Sequence, residues 1–191
     1  MDLILGGGPP NPELKNIGSG RWERGESSEA SEDPDVLNVY DDDYWFYHLT
    51  DSDKQALAYY WTQGHKKLND HYRKGEPISE EAQKYGEQLD KTIQKGVVKD
   101  LPFVWRGSGN FQFRVGEELT DNGFVSTSTS KDVALRFKSK NGYLIKINLP
   151  KKVNAARIQT EEKEILLGRG HKFKVVWVNE YSKEAILDLV E

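Results

Sequence analysis

Large apolar residues recur at three- and four-residue spacings in the first half of the chain and at adjacent or alternating positions in the second. Leu57, Tyr60 and Trp61, then His65, Leu68 and Tyr72, fall at helical spacing, with Gly64 as the place where the pattern breaks. This predicts one amphipathic helix or two joined. Thr50-Asp51-Ser52-Asp53 stands before it and offers Asp or Ser as an N-cap. Pro77 ends it. Ser79-Glu80-Glu81-Ala82 then opens a second helix with an N-cap and early acids, and Tyr85, Leu89 and Ile93 supply its buried stripe before Gly96.

Beyond Pro102 the runs shorten and β-formers take over. Phe103-Val104-Trp105 reads as a strand ending at Arg106-Gly107, and Asp121-Asn122-Gly123 as a tight turn feeding Phe124-Val125-Ser126-Thr127-Ser128. A helix carries Val133, Leu135 or Arg136, and Phe137. Strands follow at Gly142 to Leu149, Glu164 to Leu167, Lys172 to Val178 and Ala185 to Leu189. Helices first and strands afterwards predict an α+β fold, with N-terminal helices packed on a mostly antiparallel β core. Residues 1–38 hold too few large apolar side chains for a core and read as a flexible acidic linker, leaving 39–191 as one catalytic-sized domain.

Composition narrows the chemistry. The chain has no Cys, which excludes disulfides, thiolate nucleophiles and cysteine zinc sites, and its four His show no metal-ligand spacing, so no metal is expected. Leu3-Ile4-Leu5 is too short for a secretory core or a membrane span, so neither an export signal nor a membrane partner is expected. The formal charge is −4, unevenly placed: Gly25 to Asp43 holds eight acids and no base, whereas Lys131 to Lys174 holds twelve Lys or Arg against four acids. Such a basic half is either a solvated surface or an attractor of a phosphate-bearing ligand or acidic partner. No aromatic-interleaved basic motif specifies nucleic acid.

Three stretches carry the candidate chemistry. Arg106 at a strand end presents a planar fork suited to paired oxygens, and Gly107 and Gly109 leave the neighbouring backbone accessible. Ser126-Thr127-Ser128 alternates faces, so its two Ser hydroxyls point together and Thr127 opposes them. Glu162 and Glu164 project from one side of an extended chain, where mutual repulsion raises at least one pKa and divides their roles. The apolar Ile165-Leu166-Leu167 places Glu164 at a core edge. Taken singly, each stretch also has an ordinary reading as an edge-strand Arg, a polar strand end or a solvated acidic loop.

Together, Val104-Trp105-Arg106-Gly107, Gly123 to Ser128, Glu162-Lys163-Glu164-Ile165-Leu166-Leu167 and the helical pattern from Tyr60 to Arg73 resemble the R-S-E class of mono-ADP-ribosyltransferases, a superfamily of bacterial toxins and arginine-modifying enzymes. The resemblance implies a split β-sandwich and NAD as substrate, with ADP-ribose transferred to a protein side chain and nicotinamide released. It implies that Arg106 holds the NAD phosphates, with Gly107, Thr127 and Ser128 beside it in the NAD site. Ser126 would orient Glu164, Glu164 would stabilise the charge that develops as the C–N bond breaks, and Phe137 would either stack on nicotinamide or pack in the core of its helix. A Glu at position 162 accompanies arginine modification in this family, so the expected acceptor is an arginine of a target protein. No aromatic residue occurs between Ala155 and Glu161, where an acceptor-recognising Tyr or Phe can occur, so the target stays open. The resemblance also implies a toxin secreted or injected as part of a larger polypeptide, acting in a target-cell cytoplasm, with an immunity protein in the producer. An NAD glycohydrolase on the same scaffold and a non-enzymatic protein-binding module remain alternatives.

Overall fold

A computed structural model describes residues 37–39, 42–158 and 162–190. The acidic segment 1–36 lies outside the described residues, as do 159–161 of the stretch without an aromatic. Leu37 and Asn38, assigned to the linker from sequence, pair as a short strand.

The helical part opens with α1 (Asp42–His48) and α2 (Asp51–Tyr59). Thr50, and not one of the expected Asp or Ser residues, caps α2. It is the residue with extended backbone, its Oγ accepts from the Asp53 amide at 3.3 Å, and the Asp53 carboxylate accepts from the Thr50 amide at 2.9 Å. Asp53 is buried and also takes hydrogen bonds from Thr92 and Gln88 at 2.8 Å, and an ion pair with Lys95 at 2.5 Å, all from α4 (Glu80–Lys95). These bonds tie α2 to α4. Ser79 caps α4 as the sequence predicts, and Leu89 and Ile93 are buried.

The first helical pattern does not break at Gly64. It passes through a π-helical turn, Tyr60–Gly64, directly into α3 (His65–Lys74). A π turn takes in one residue more than an α turn. Gly64 permits it, because a Cβ there would lie 2.3 Å from the Tyr59 ring. The helix stops at Gly75, in left-handed conformation (φ 73°), before reaching Pro77.

The strands are β1 (Leu37–Asn38), β2 (Gly96–Lys99), β3 (Phe103–Gly107), β4 (Glu118–Asp121), β5 (Val125–Ser128), β6 (Leu144–Asn148), β7 (Lys152–Ile158), β8 (Glu164–Leu167), β9 (His171–Asn179) and β10 (Glu184–Leu189), with α5 (Lys131–Phe137) between β5 and β6. Their order is β1-β2-β7-β8-β5-β3-β6-β10-β9-β4. The β1–β2 and β6–β10 pairs are parallel and the other pairs antiparallel, as the α+β reading expects. Strands β5 and β3 meet at a single residue pair, Trp105 opposite Ser128. That thin junction divides the order into two halves of five strands. Helix α4 packs on β7 and β2, and α5 covers the junction by packing on β3 and β5.

Asp121-Asn122-Gly123 does not close a hairpin. Strand β4 pairs with β9 while β5 pairs with β8 and β3, so the turn crosses from one half of the sheet to the other. Side chains of α3 hold this crossing. Arg73, 6% exposed, donates from Nε to Asp121 Oδ1 at 2.7 Å, and from Nη2 to Asp121 Oδ2 at 3.0 Å and to the Phe124 carbonyl at 2.9 Å. Removing one partner of such a pair strands the other charge in the interior. Asp121→Ala is expected to lower the unfolding free energy by about 3–5 kcal/mol in urea titration; a loss below about 1 kcal/mol would mean that the pair does not hold the crossing.

Candidate active site

Residues from both halves of the sheet and from the π turn line one cleft at the β3–β5 junction, with an empty volume of about 840 Å³ including its open mouth. Strand β3 alternates in burial and turns Arg106 inward, leaving it 7% exposed. Its Nη1 donates to the Ser126 carbonyl, and its Nε has no hydrogen-bond partner among the described residues. Burial lowers its pKa to about 10, the Arg73 charge adds to this, and Asp121, Tyr60 and Glu164 oppose it. The guanidinium stays charged at neutral pH. Arg73 is neutralised by Asp121, so Arg106 is the cation this wall can offer to an anionic ligand.

Glu164 opens β8, opposite Ser128 on β5 and Ile158 on β7, and is 6% exposed. Burial raises its pKa to about 7; a hydrogen bond from Ser126 and the Arg106 charge pull it down, and Glu162 pushes it up. The sequence assigns the shift to repulsion between the two carboxylates, but desolvation is the larger cause. The pair is also not held by simple strand alternation. Lys163 has φ 48°, so Glu162 lies in a turn ahead of β8, and that turn brings it to the same cleft. Burial raises the Glu162 pKa as well, against the Arg136 charge on α5.

The hydroxyl row is divided among three tasks. Thr127 donates to the Ile165 carbonyl at 2.6 Å and Ser128 to the Glu162 carbonyl at 2.6 Å, so both hold β8 and its turn in place while lining the cleft. Ser126 Oγ lies 3.0 Å from Tyr60 Oη. Gly107 also lines the cleft, but its missing side chain serves packing: a Cβ would sit 2.2 Å from the Ala134 carbonyl of α5. Phe137, at the end of α5, is half-buried at the cleft wall.

Tyr60, Trp61, His65 and Asn69 form the helical wall, with Trp105 and Val133 opposite them; their sequence pattern marks a helix face, a strand and a second helix but assigns none of them to the site. In a regular helix Tyr60 and Asn69 would stand on opposite faces. The signal that carries information is Gly64 inside an otherwise apolar and aromatic helical pattern. Among the described residues no group of three or more His, Asp or Glu could hold a metal ion, and no helix is long and apolar enough to cross a membrane.

Residues 38–190 match the family model described as ADP-ribosyltransferase exoenzyme. The chain belongs to that family. A curated relative from Mycobacterium avium (strain 104), Mav, whose name provisionally assigns it NAD(+)–arginine ADP-ribosyltransferase activity, is 30% identical over 96% of this chain. The chain spans 22% of that relative's length. Among solved structures, the Vis toxin of Vibrio splendidus, an ADP-ribosyltransferase, matches at 19% identity and a TM-score of 0.63, over 78% of this chain and 77% of Vis. The Plx2a toxin of Paenibacillus larvae matches at 22% identity and a TM-score of 0.62, over 77% of this chain and 90% of Plx2a. At these identities the two toxins establish the ADP-ribosyltransferase toxin fold.

The raised Glu164 pKa ties stability of this exoenzyme domain to pH. Between the ordinary value of 4.5 and about 7 the folded state keeps a proton that the unfolded chain has released, so stability falls as pH rises through that window and the loss is complete above it. In denaturant titrations, wild type is expected to lose on the order of 3 kcal/mol relative to Glu164→Gln between pH 4.5 and 8. Parallel pH dependences for the two proteins would contradict the buried carboxyl.

Proposed function

We propose that this domain is the catalytic unit of a toxin or effector that transfers ADP-ribose from NAD to an arginine of a target protein and releases nicotinamide. The observation that carries the reading is the convergence of a buried cation, Arg106, with the Glu162 and Glu164 carboxyls at one cleft. The Mav name supports arginine as acceptor, as does the pair of acids itself.

In this reaction Arg106 binds the pyrophosphate, aided by Gly107, Thr127 and Ser128, and Phe137 packs against the nicotinamide ring. Glu164 accepts the hydroxyl of the nicotinamide-side ribose and faces the positive charge that builds on the ribose carbon as the C–N bond breaks. Ser126 orients it. A guanidinium stays protonated in water, so Glu162 pairs with the incoming arginine, aims one of its nitrogens at the ribose carbon, and takes a proton as the new C–N bond forms. Residues 39–191 constitute the catalytic domain, carried within a longer polypeptide and delivered to the cytoplasm of a target cell. The producing cell holds an immunity protein that binds and neutralises the domain.

Incubation with labelled NAD and cell lysate, followed by mass spectrometry, tests this. Glu164→Gln is expected to lower nicotinamide release at least about 100-fold, and Glu162→Gln to lose arginine-linked adducts while sparing NAD hydrolysis. At NAD concentrations well below KM, where kcat/KM reports the free enzyme, wild-type nicotinamide release should rise with pH through about 7, where Glu164 ionises. Full transfer by Glu164→Gln would refute the assignment; NAD hydrolysis by wild type without protein adducts would point to a glycohydrolase.

A further inference from the structure

We propose that Tyr60 and Asn69 are positioning residues: with Ser126 they form a hydrogen-bond chain whose donor direction is set at the Phe124 backbone amide and which aims the Ser126 hydroxyl at Glu164. The proposal rests on the assignment of Glu164 as the carboxylate at the breaking bond.

The direction follows from the partners. The Phe124 amide can only donate, and its N–H meets Asn69 Oδ1 at 2.8 Å. The Asn69 amide is therefore fixed with Nδ2 outward, and Nδ2 donates to Tyr60 Oη at 3.1 Å. Tyr60 is 2% exposed, so its own O–H needs an acceptor, and the neighbour in reach is Ser126 Oγ at 3.0 Å. Ser126 thus accepts from Tyr60, and its proton is directed onward to Glu164. Reversing the middle bond would leave the Tyr60 hydroxyl buried without an acceptor, at a cost of about 1–3 kcal/mol. Burial and the neighbouring Glu164 raise the Tyr60 pKa, which keeps the phenol proton in place.

The π turn supports the same assignment independently. At about 100° per residue, positions nine apart on a regular α-helix stand about 180° apart, on opposite faces. The extra residue held in Tyr60–Gly64, where the His65 amide donates to the Tyr60 carbonyl, reduces the offset to about 80°. Without it Tyr60 and Asn69 could not bond to each other.

Asn69→Asp reverses the chain with little change in shape. The Phe124 amide keeps an acceptor, but the second carboxylate oxygen now takes the Tyr60 proton, Ser126 no longer receives that proton and is free to turn its own to Tyr60 as well as to Glu164, and Glu164 loses its fixed donor. The charged and titratable groups facing Glu164 are Glu162 from the preceding turn, Arg106 from β3 and Tyr60 from the π turn, with His65 of α3 on the same cleft wall. A new charge at position 69 would also disfavour ionised Glu164, and a second substitution separates the two effects. In Tyr60→Phe/Asn69→Asp no phenol competes for the Ser126 proton, so Glu164 regains it in part, without the aim that the Tyr60 donor gives, whereas a plain charge effect would persist.

The measurements are kcat and KM for nicotinamide release across pH, together with carbon-13 NMR titration of the Glu164 carboxyl, assigned by its absence in Glu164→Gln. Asn69→Asp is expected to lower kcat roughly tenfold to a hundredfold with KM for NAD within about twofold, and to move both the rate profile and the Glu164 titration to higher pH. Tyr60→Phe should have a smaller effect. The double variant should return to the level of Tyr60→Phe, which loss of packing would not produce. An unshifted Glu164 titration in Asn69→Asp, or a double variant as impaired as Asn69→Asp, would overturn the proposal. If Asn69→Asp does not fold, Tyr60→Phe decides on the same titration: a shift to higher pH upholds the chain and none overturns it. Wild type that releases no nicotinamide would reject the proposed function, while the carboxyl titration still decides the chain.

Discussion

The β3–β5 ladder ends after one residue pair, and the site depends on that interruption. Continued at the register of Trp105 opposite Ser128, the ladder would set Gly107 against Ser126 and close the sheet. Instead α5 presses on Gly107 so closely that no side chain fits, and the Arg106 guanidinium takes the Ser126 carbonyl. A buried backbone acceptor needs a partner, and here a charged side chain from the other half of the sheet supplies it. The seam thereby places a cation of β3 beside the hydroxyls of β5 and the carboxylate of β8. Because the seam is buried, the same arrangement that opens the cleft also shifts Glu164 and Arg106 from their ordinary titration.

Such a thin junction needs support from outside the sheet, and the helix running from α2 through α3 provides it. Arg73 clamps Asp121 and the Phe124 carbonyl, and Asn69 takes the Phe124 amide, so two consecutive side-chain positions on one helix face hold the chain where it crosses between the halves. The helix is anchored in turn by the Asp53 cluster that joins α2 to α4. The cleft wall is therefore held in part by contacts outside it, at the Asp53 cluster.

Much of this was legible in the sequence where local physics decides the outcome. Strands β3, β6, β8, β9 and β10 are dense in β-branched and large apolar residues, and Ser79 acts through local hydrogen bonding. Arg106, Glu162 and Glu164 are marked by the apolar runs of β3 and β8, and Ser126 by the hydroxyl run that follows Phe124-Val125. Less visible were β7, whose centre is the small pair Ala155-Ala156, β4, whose buried positions include a charged Asp121, and the two short strands β1 and β2. Helix α1 was hidden by its aromatic residues, of which Trp45 is buried while Tyr44 and Tyr47 are exposed. Asp121-Asn122-Gly123 has hairpin chemistry, yet pairing partners far along the chain decide where its strands go. The π turn defeats periodicity outright, since it changes the period on which helix faces are read.

Glu164 has a cost in the free protein that the proposed reaction removes. With its pKa near 7, a sizeable fraction of molecules hold it protonated at neutral pH and unable to accept the ribose hydroxyl. The nicotinamide ring of NAD is a cation, and an opposite charge brought beside a buried carboxyl favours the ionised form. As the C–N bond lengthens, that positive charge passes from the ring to the ribose carbon and stays within the field of the same carboxylate. In the proposed reaction Arg106 does not play this part, because it faces the phosphates and donates to the Ser126 carbonyl, and its charge moves Glu164 less than burial, Ser126 or Glu162 does. Under the proposed function, substrate binding thus ionises the group that acts on the substrate, and the burial that destabilises the carboxylate in the free domain strengthens its attraction to the developing cation.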